Sequence, residues 1–397
     1  MNRLTNITKT VWVLSLVSLF TDTASEMLYP VMPVYLKSIG FSVIYIGLLE
    51  GIAEATAGLS KGYFGKRSDQ SGRRAPFVQA GYALSALSKP LLGLFTAPVW
   101  IFGARTLDRL GKGIRTGARD AILSDQALEG NKGRIFGFHR SMDTLGAVLG
   151  PSLALVYLYF FPGRYRQLFF IAFLPGVLAV LASLLIKDSR GPLTKAPGTA
   201  GFFSFLAYLQ SSPPAYRRLL IGLLAFALVN SSDVFLLLRA RQSGLSDLMV
   251  IEIYIFYNII YALSSFPLGI LGDRAGLRTV FLLGLSLFAL VYAAMTLVHG
   301  LTGFAVLFLL YGIYAGATDG ISKAWISRIS APEETATAIG TYTAFQSIAA
   351  LLASFFTGLV WYRFGSGAAL MMSACLTLLV IVYFLADPSF QADRRAR

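Results

Sequence analysis

Long apolar runs recur along this chain, and they leave it little choice of fold. Hydropathy divides the sequence into about twelve such segments, near residues 11–36, 43–64, 76–95, 97–119, 134–160 and 167–187, then 217–240, 247–271, 278–298, 301–325, 337–361 and 366–386. A helix needs about 20 predominantly apolar residues to cross the hydrocarbon core of a bilayer. Twelve of them with short connections use nearly the whole chain. The expected fold is an all-α integral membrane protein of twelve transmembrane helices in two pseudo-symmetric six-helix bundles. Composition agrees: 55% of the 397 residues are hydrophobic and 14% charged, where a soluble domain carries roughly 25% charged.

The net charge of +14 invites comparison with nucleic-acid binders, but the basic residues gather in alternate connections, as the positive-inside rule requires. One side collects Lys61, Lys66, Arg67, Arg73, Arg74, Lys132, Arg134, Lys187, Arg190, Arg217, Arg218, Arg274 and Arg278, with Arg394, Arg395 and Arg397. The other holds only Lys37, Arg164, Arg166, Arg239, Arg241 and Arg363. The bias places both termini in the cytoplasm of a cell bounded by this inner (cytoplasmic) membrane. It also removes the need for a nucleic-acid partner. The first apolar stretch, Val11 to Leu36, contains Asp22 and Glu26 and is too long for a cleavable signal.

Between the sixth and seventh segments, Ser189-Arg190-Gly191-Pro192 and Ala196-Pro197-Gly198 give the composition of a linker. The expected organisation is residues 1–187 as one six-helix bundle, 188–216 as a cytoplasmic linker and 217–397 as the second bundle. A repeat supports two related halves. Gly65, Asp69, Gly72 and Arg74 follow G-x-x-x-D-x-x-G-x-R, with Arg73 beside them. Gly269, Asp273, Gly276 and Arg278 follow the same pattern, with Arg274 inside it. The offset is 204 residues (269 less 65), close to half the chain. Parallel repeats of this kind are a signature of transporters with a central site.

These loops resemble the signature of the major facilitator superfamily between helices two and three and its weaker copy between eight and nine. Arg105, Gly111 and Gly113 fit the family pattern R-x-x-x-x-x-G-x-G, and Gly137, Gly146, Gly150 and Pro151 fit G-x(8)-G-x(3)-G-P, a pattern of its exporting antiporters. The match departs from the family at Gln70, Arg109 and Ala154-Leu155. The resemblance implies a monomer that moves a small-molecule substrate through membrane lipid. It also implies that Asp69 faces the start of segment eleven near Thr335–Thr337 as a gate latch, while Arg73 and Arg74 pair with nearby acids.

Charge at membrane depth is the sharper signal. Asp22, Glu26, Glu50, Glu54, Arg105, Asp108, Arg109, Lys112, Arg140 and Asp143 all fall within apolar segments, and Lys89 joins them. Each costs roughly 2.5–3.5 kcal/mol at a helix centre, so they must pair or line water. Asp22/Glu26, Glu50/Glu54, Arg105/Arg109 and Asp108/Lys112 are i,i+4 pairs that share a helix face. The expected neutralisation is an acidic face against a mixed one across the first half, with some acids exchanging protons. Fixed salt bridges are the competing reading. The second half offers Asn230, Asp233, Tyr257, Asn258, Tyr311, Tyr314, Asp319 and Gln346 as candidates for the substrate cavity.

The sequence holds no phosphate-binding loop of a pump, and no nucleophile–base set of an enzyme stands out. One cysteine, Cys375, and two histidines, His139 and His299, point to neither a disulfide nor a metal cluster. No cofactor is expected. The leading expectation is proton-coupled export of a small organic solute. Uptake of a small anionic metabolite, and a non-transporting sensor on the same fold, are the alternatives.

Overall fold

The computed structural model describes residues 7–29, 31–128, 130–188 and 201–386. Pro30, residues 189–200 of the linker including Arg190, and the C-terminal Arg394, Arg395 and Arg397 lie outside the described residues.

Helices dominate, and no strand occurs among the described residues. In chain order they are α1 Lys9–Leu28, α2 Met32–Ser38, α3 Val43–Ser71, α4 Ala75–Leu94, α5 Pro98–Asp125, α6 Lys132–Phe160 and α7 Tyr165–Ser183. Then follow a short α8 Tyr208–Ser211, α9 Pro214–Ala227, α10 Val234–Gln242, α11 Asp247–Ala275, α12 Leu277–Ala294, α13 Leu301–Ile329 and α14 Thr335–Ala386. The first expected segment is split into α1 and α2, and the seventh into α9 and α10. The last two are continuous except at Gly365, whose φ of 87° and ψ of 169° break the helical path. With those three adjustments the twelve expected segments map onto the helices.

Local chemistry sets the boundaries. The side chains of Thr8, Ser42 and Ser246 accept hydrogen bonds from Val11, Tyr45 and Met249 N–H at the starts of α1, α3 and α11, the preferred N-cap arrangement. Proline opens α4, α5 and α9, where its missing N–H costs nothing. Gly72 (φ 66°) ends α3 and Gly276 (φ 97°) ends α11. Both are the second glycine of the repeated loop, in a region that L side chains seldom adopt.

Seven stretches are long and apolar enough to cross a membrane: α1, α6, α7, most of α11, α12, α13 and Pro332–Ala386. Leu351, Phe355, Leu379 and Val382 on α14 are exposed, as expected of a helix solvated by lipid tails rather than water.

The chain forms two compact units. The first takes residues up to Gln126, Met142–Ser211 and Ser330–Ala344. Within it α5 packs on α3 and α4, and α7 on α1 and α4. Its core includes Met27, Tyr35, Leu49, Leu92, Ile101, Leu168 and Phe169. The second takes Ala127–Ser141, Ser212–Ile329 and the chain from Phe345, with α13 packed on α11 and α12. The boundary therefore cuts α6 after Ser141 and α14 after Ala344.

Candidate functional site

In the first unit the charges converge on α5. Arg105, Asp108, Arg109 and Lys112 recur at helical spacing, so their side chains leave α5 on neighbouring faces. Arg105 makes a bidentate pair with Glu50 of α3, 3.0 and 2.9 Å from Nε and Nη2. One turn on, Arg109 reaches Glu54 at 3.3 Å. The two i,i+4 pairs thus lie alongside each other, basic on α5 and acidic on α3, as their spacing requires. Asp108 turns the other way and accepts from Lys89 of α4 at 2.6 Å, with Arg105 at 3.6 Å. Lys89 also donates to Ser25 of α1.

Beside this ladder α1 presents Asp22 and Glu26. With Ser25 and Tyr29 they line a pocket completed by Arg105, Asp108, Arg109, Lys112 and Arg115. Asp22 is hydrogen-bonded to Asp143 of α6, which also accepts from Ser18. Glu26 and Lys112 lie within electrostatic reach of each other, but neither makes an ion pair with a described residue. The approach of α6 to α1 depends on two glycines of its motif. A Cβ on Gly146 would meet the Leu19 carbonyl and Asp22, and one on Gly150 would lie 2.6 Å from Met27 N. Pro151 follows inside the same helix, whereas Gly137 abuts Ser265 and Gly269 of α11 in the second unit.

Arg140 and Asp143 are three residues apart, yet they serve different units. The sequence places both with the first-half charges. Arg140 instead pairs with Asp319 of α13 at 2.7 Å, in the second unit. Tyr261 of α11 completes a triangle, accepting from Arg140 and donating to Asp319 at 2.7 Å. The guanidinium also lies over the Tyr261 ring, 5.0 Å from its centroid.

The second unit also gathers an aromatic cluster around Asp233. Tyr311 donates to Asp233 at 2.7 Å, and Tyr257 is a second hydrogen-bond partner. The Tyr257 and Tyr311 rings lie 5.0 Å apart and Tyr311 and Tyr314 5.1 Å apart. Asn258 spends its amide on the Tyr254 carbonyl, which leaves it a helix-bound group. Asn230 lies in the unwound turn before α10, and Gln346 is partly buried on α14.

The repeated loops perform the same act twice. Asp69 accepts from Thr337 at the start of α14 through backbone N–H (2.7 Å) and hydroxyl (2.8 Å). Asp273 accepts from the backbone N–H of Gly133 and Arg134 at the start of α6, both at 2.7 Å. Asp69 and Asp273 are 204 residues apart (273 less 69), and so are Gly133 and Thr337 (337 less 133). Each carboxylate satisfies the orphan N–H groups of a helix N-terminus, where its charge also meets the positive end of the dipole. Gly65 and Gly269 allow the approach, since a Cβ on either would strike the carbonyl of Ala336 or Gly133. Asp69 lies beyond the apolar stretch 43–64. Burial pushes its carboxyl up, Arg74 and Thr337 pull it back, and the balance stays above the ordinary value.

Arg74 pairs with Asp69 at 2.8 Å and with Asp125, as the expected pairing requires. Arg73 is exposed and makes no ion pair among the described residues. Arg274 is exposed too. Arg278 departs from Arg74, its counterpart, by donating to the Phe384 carbonyl.

Some partners escape a reading of the sequence. Tyr261 falls four residues after Tyr257 and seven after Tyr254, so the stripe was visible, but its triangle with Arg140 and Asp319 needs three distant elements. Asp188, which accepts from the N–H of Arg74 and Ala75, and Arg119, which pairs with Asp120 at 2.8 Å, carry no sequence signal. No cluster that could hold a metal occurs among the described residues.

Helices with charges at depth, a repeated loop and an internal offset define the class of membrane-embedded secondary transporters. The chain belongs to the Major Facilitator Superfamily, whose sequence profile matches residues 14–259 and 235–396. It is 31% identical over 386 residues to an uncharacterized MFS-type transporter of Methanocaldococcus jannaschii, covering 94% of this chain and 95% of the relative. It is 23% identical over 384 residues to a multi-drug resistance efflux pump PmrA homolog of Lactococcus lactis, covering 92% and 91%. Among solved structures, the human organic anion transporter MFSD10 (TETRAN) superposes with a TM-score of 0.77 at 18% identity, covering 94% and 98%. The fucose:proton symporter of E. coli gives 0.76 at 11% identity, covering 95% and 98%. These structures share the fold, twelve helices in two six-helix halves.

Proposed function

We propose that this secondary transporter is proton-coupled and exports a small organic solute across the cell membrane, with both termini and the linker on the cytoplasmic side. The observation that carries the coupling is the Asp22–Asp143 contact. Like charges in such contact disfavour double ionisation, so a pair of carboxyls is suited to take up and give back a proton. The surrounding charges make that proton count. Lys89, Arg105, Arg109, Lys112 and Arg115 face Asp22, Glu26, Glu50, Glu54, Asp108 and Asp143. Arg119 also acts on Asp143 and Lys61 on Glu54, so the pair sits in a field of both signs. Loss of a proton adds one negative charge at membrane depth, which favours a change of conformation or a new partner.

Export is supported by the α6 motif at Gly137, Gly146, Gly150 and Pro151 and by the efflux-pump relative. The opposing contributions at Asp69 suit a gate latch, since a contact whose formation costs desolvation is released at modest cost. A second reading, uptake of an anionic metabolite, draws on Lys112, a cation that makes no ion pair with a described residue.

Reconstitution in liposomes containing a pH-sensitive dye tests the coupling. Under an imposed proton gradient and a solute screen, substrate-dependent proton movement is expected, lost in Asp22→Asn and in Asp143→Asn. Labelled-solute flux without proton movement, or coupling intact in both variants, removes the proton role and leaves the acids as structural groups.

A further inference from the structure

Asp233 occupies the N-cap position of α10, yet its side chain makes no capping hydrogen bond. An aspartate there normally accepts from the first-turn N–H groups. This one is held by phenol hydroxyls, Tyr311 on α13 at 2.7 Å and Tyr257 on α11. It forms no ion pair with a described residue, and Arg140 is committed to Asp319. Asp233 is half-buried as a residue, and its partners Tyr257 and Tyr311 are buried.

Two further features mark the place. The backbone from Leu228 to Asp233 is unwound between α9 and α10, and irregular backbone at membrane depth is tolerated where it lines a cavity or a binding site. On that same stretch Oδ1 of Asn230 is buried without a donor, a costly state in a native protein. The unwound turn thus offers a carboxylate and an amide oxygen, two acceptors with no cation paired to them. Aromatic rings stand around them, with Tyr254 6.1 Å from Tyr257. Acceptors, aromatic faces and an unbalanced negative charge are what an organic cation needs.

We infer that the Asp233 turn binds the charged nitrogen of a hydrophobic organic amine, and that amines of this kind are the solute class the second unit selects. The Tyr257 and Tyr311 hydroxyls are positioning groups that fix the carboxylate, and Asn230 accepts a second N–H from the ammonium. The inference rests on the transporter reading for calling the ligand a solute. It does not depend on the Asp22–Asp143 proton site.

Equilibrium dialysis of the purified full chain in detergent, with propranolol as the amine and naphthalene-1-sulfonate as an anion of similar bulk, tests it. Propranolol is expected to bind and the sulfonate not to. Asp233→Asn should weaken propranolol by about 10-fold or more, the scale of one desolvated ion pair with its aromatic contact. Asp233→Glu should keep most of the affinity, and Asn230→Ala and Tyr311→Phe should each weaken it less than Asp233→Asn. Glu252→Gln, at an exposed acid of the same unit, should leave it unchanged.

Wild-type affinity in Asp233→Asn, no amine binding by the wild type, or binding of the sulfonate alone overturns the assignment. If Asp233→Asn does not yield monodisperse protein, unchanged affinity in both Asn230→Ala and Tyr311→Phe overturns it. Asp233-dependent binding without Asp22-dependent proton movement keeps this site and discards the proton coupling. Proton movement without Asp233-dependent binding does the reverse.

Discussion

Lys89 shows how membrane depth changes the worth of a single side chain. Its ammonium is 2% exposed and meets Asp108 at 2.6 Å. Neither group has water to fall back on, so removing one strands the other. Breaking such a buried pair costs about 3–5 kcal/mol, whereas replacing both partners is far milder. Lys89→Met is therefore expected to lower the midpoint of thermal unfolding in detergent sharply, and Lys89→Met with Asp108→Asn to recover most of the loss. Additive losses in the double variant would show that the two residues do not act as a pair. Arg109 and Glu54 form the contrasting case. Their contact is longer, and the Glu54 side chain is 56% exposed. Glu54→Gln is expected to change the midpoint by less than about 1 kcal/mol equivalent, as exposed pairs do.

At the scale of helices, small residues decide which faces can touch. α6 meets α1 through Gly150, where an added Cβ would lie 2.6 Å from Met27 N and 2.7 Å from the Thr23 carbonyl. Backbone cannot step aside as a side-chain tip can. Gly150→Leu is expected to cost at least about 1–3 kcal/mol of overpacking and to shift the protein toward aggregates in size-exclusion chromatography. Gly103→Leu on α5 is the matched control. Nothing lies within 4 Å of its added Cβ, so that variant should elute as wild type. The separation of Asp143 from Asp22 by such a substitution would also break the carboxyl contact, and proton movement should fall with it.

For the whole molecule, the two compact units are not continuous in sequence. The start of α6 belongs with helices that follow residue 212, and the start of α14 with helices that precede residue 211. Each bond from Asp69 or Asp273 thus ties residues from opposite halves of the sequence. A chain cut between residues 188 and 201 is expected to re-form when both fragments are co-expressed, and to co-purify through a tag on one of them. Neither fragment alone should give monodisperse protein. Stable, separately folded fragments would show that the crossed segments contribute little. Asp69→Asn and Asp273→Asn are each expected to slow solute flux by about 10-fold or more, because the lost charge–dipole and hydrogen-bond contact amounts to about 1–2 kcal/mol. Flux assays on both variants check whether the two carboxylate–helix contacts are equivalent.

By itself the sequence determined the class of fold, the number of segments and the repeat. Apolar runs longer than a bilayer is thick admit few arrangements, and a motif copied at a fixed offset carries its geometry with it. The i,i+4 spacing of Glu50/Glu54 and of Arg105/Arg109 showed that each pair shares a face, since helical spacing fixes a face. Asp69 at Thr337 was legible through family resemblance. What only the tertiary structure decided was which face meets which. Arg140 pairs with Asp319 and Tyr261 in the second unit, while Asp143, three residues on, falls in the first. The Asp22–Asp143 contact and the Asp233 turn were likewise hidden. Hydropathy and spacing describe one helix at a time, while a proton site or a bound cation depends on side chains that separate helices bring within hydrogen-bond reach.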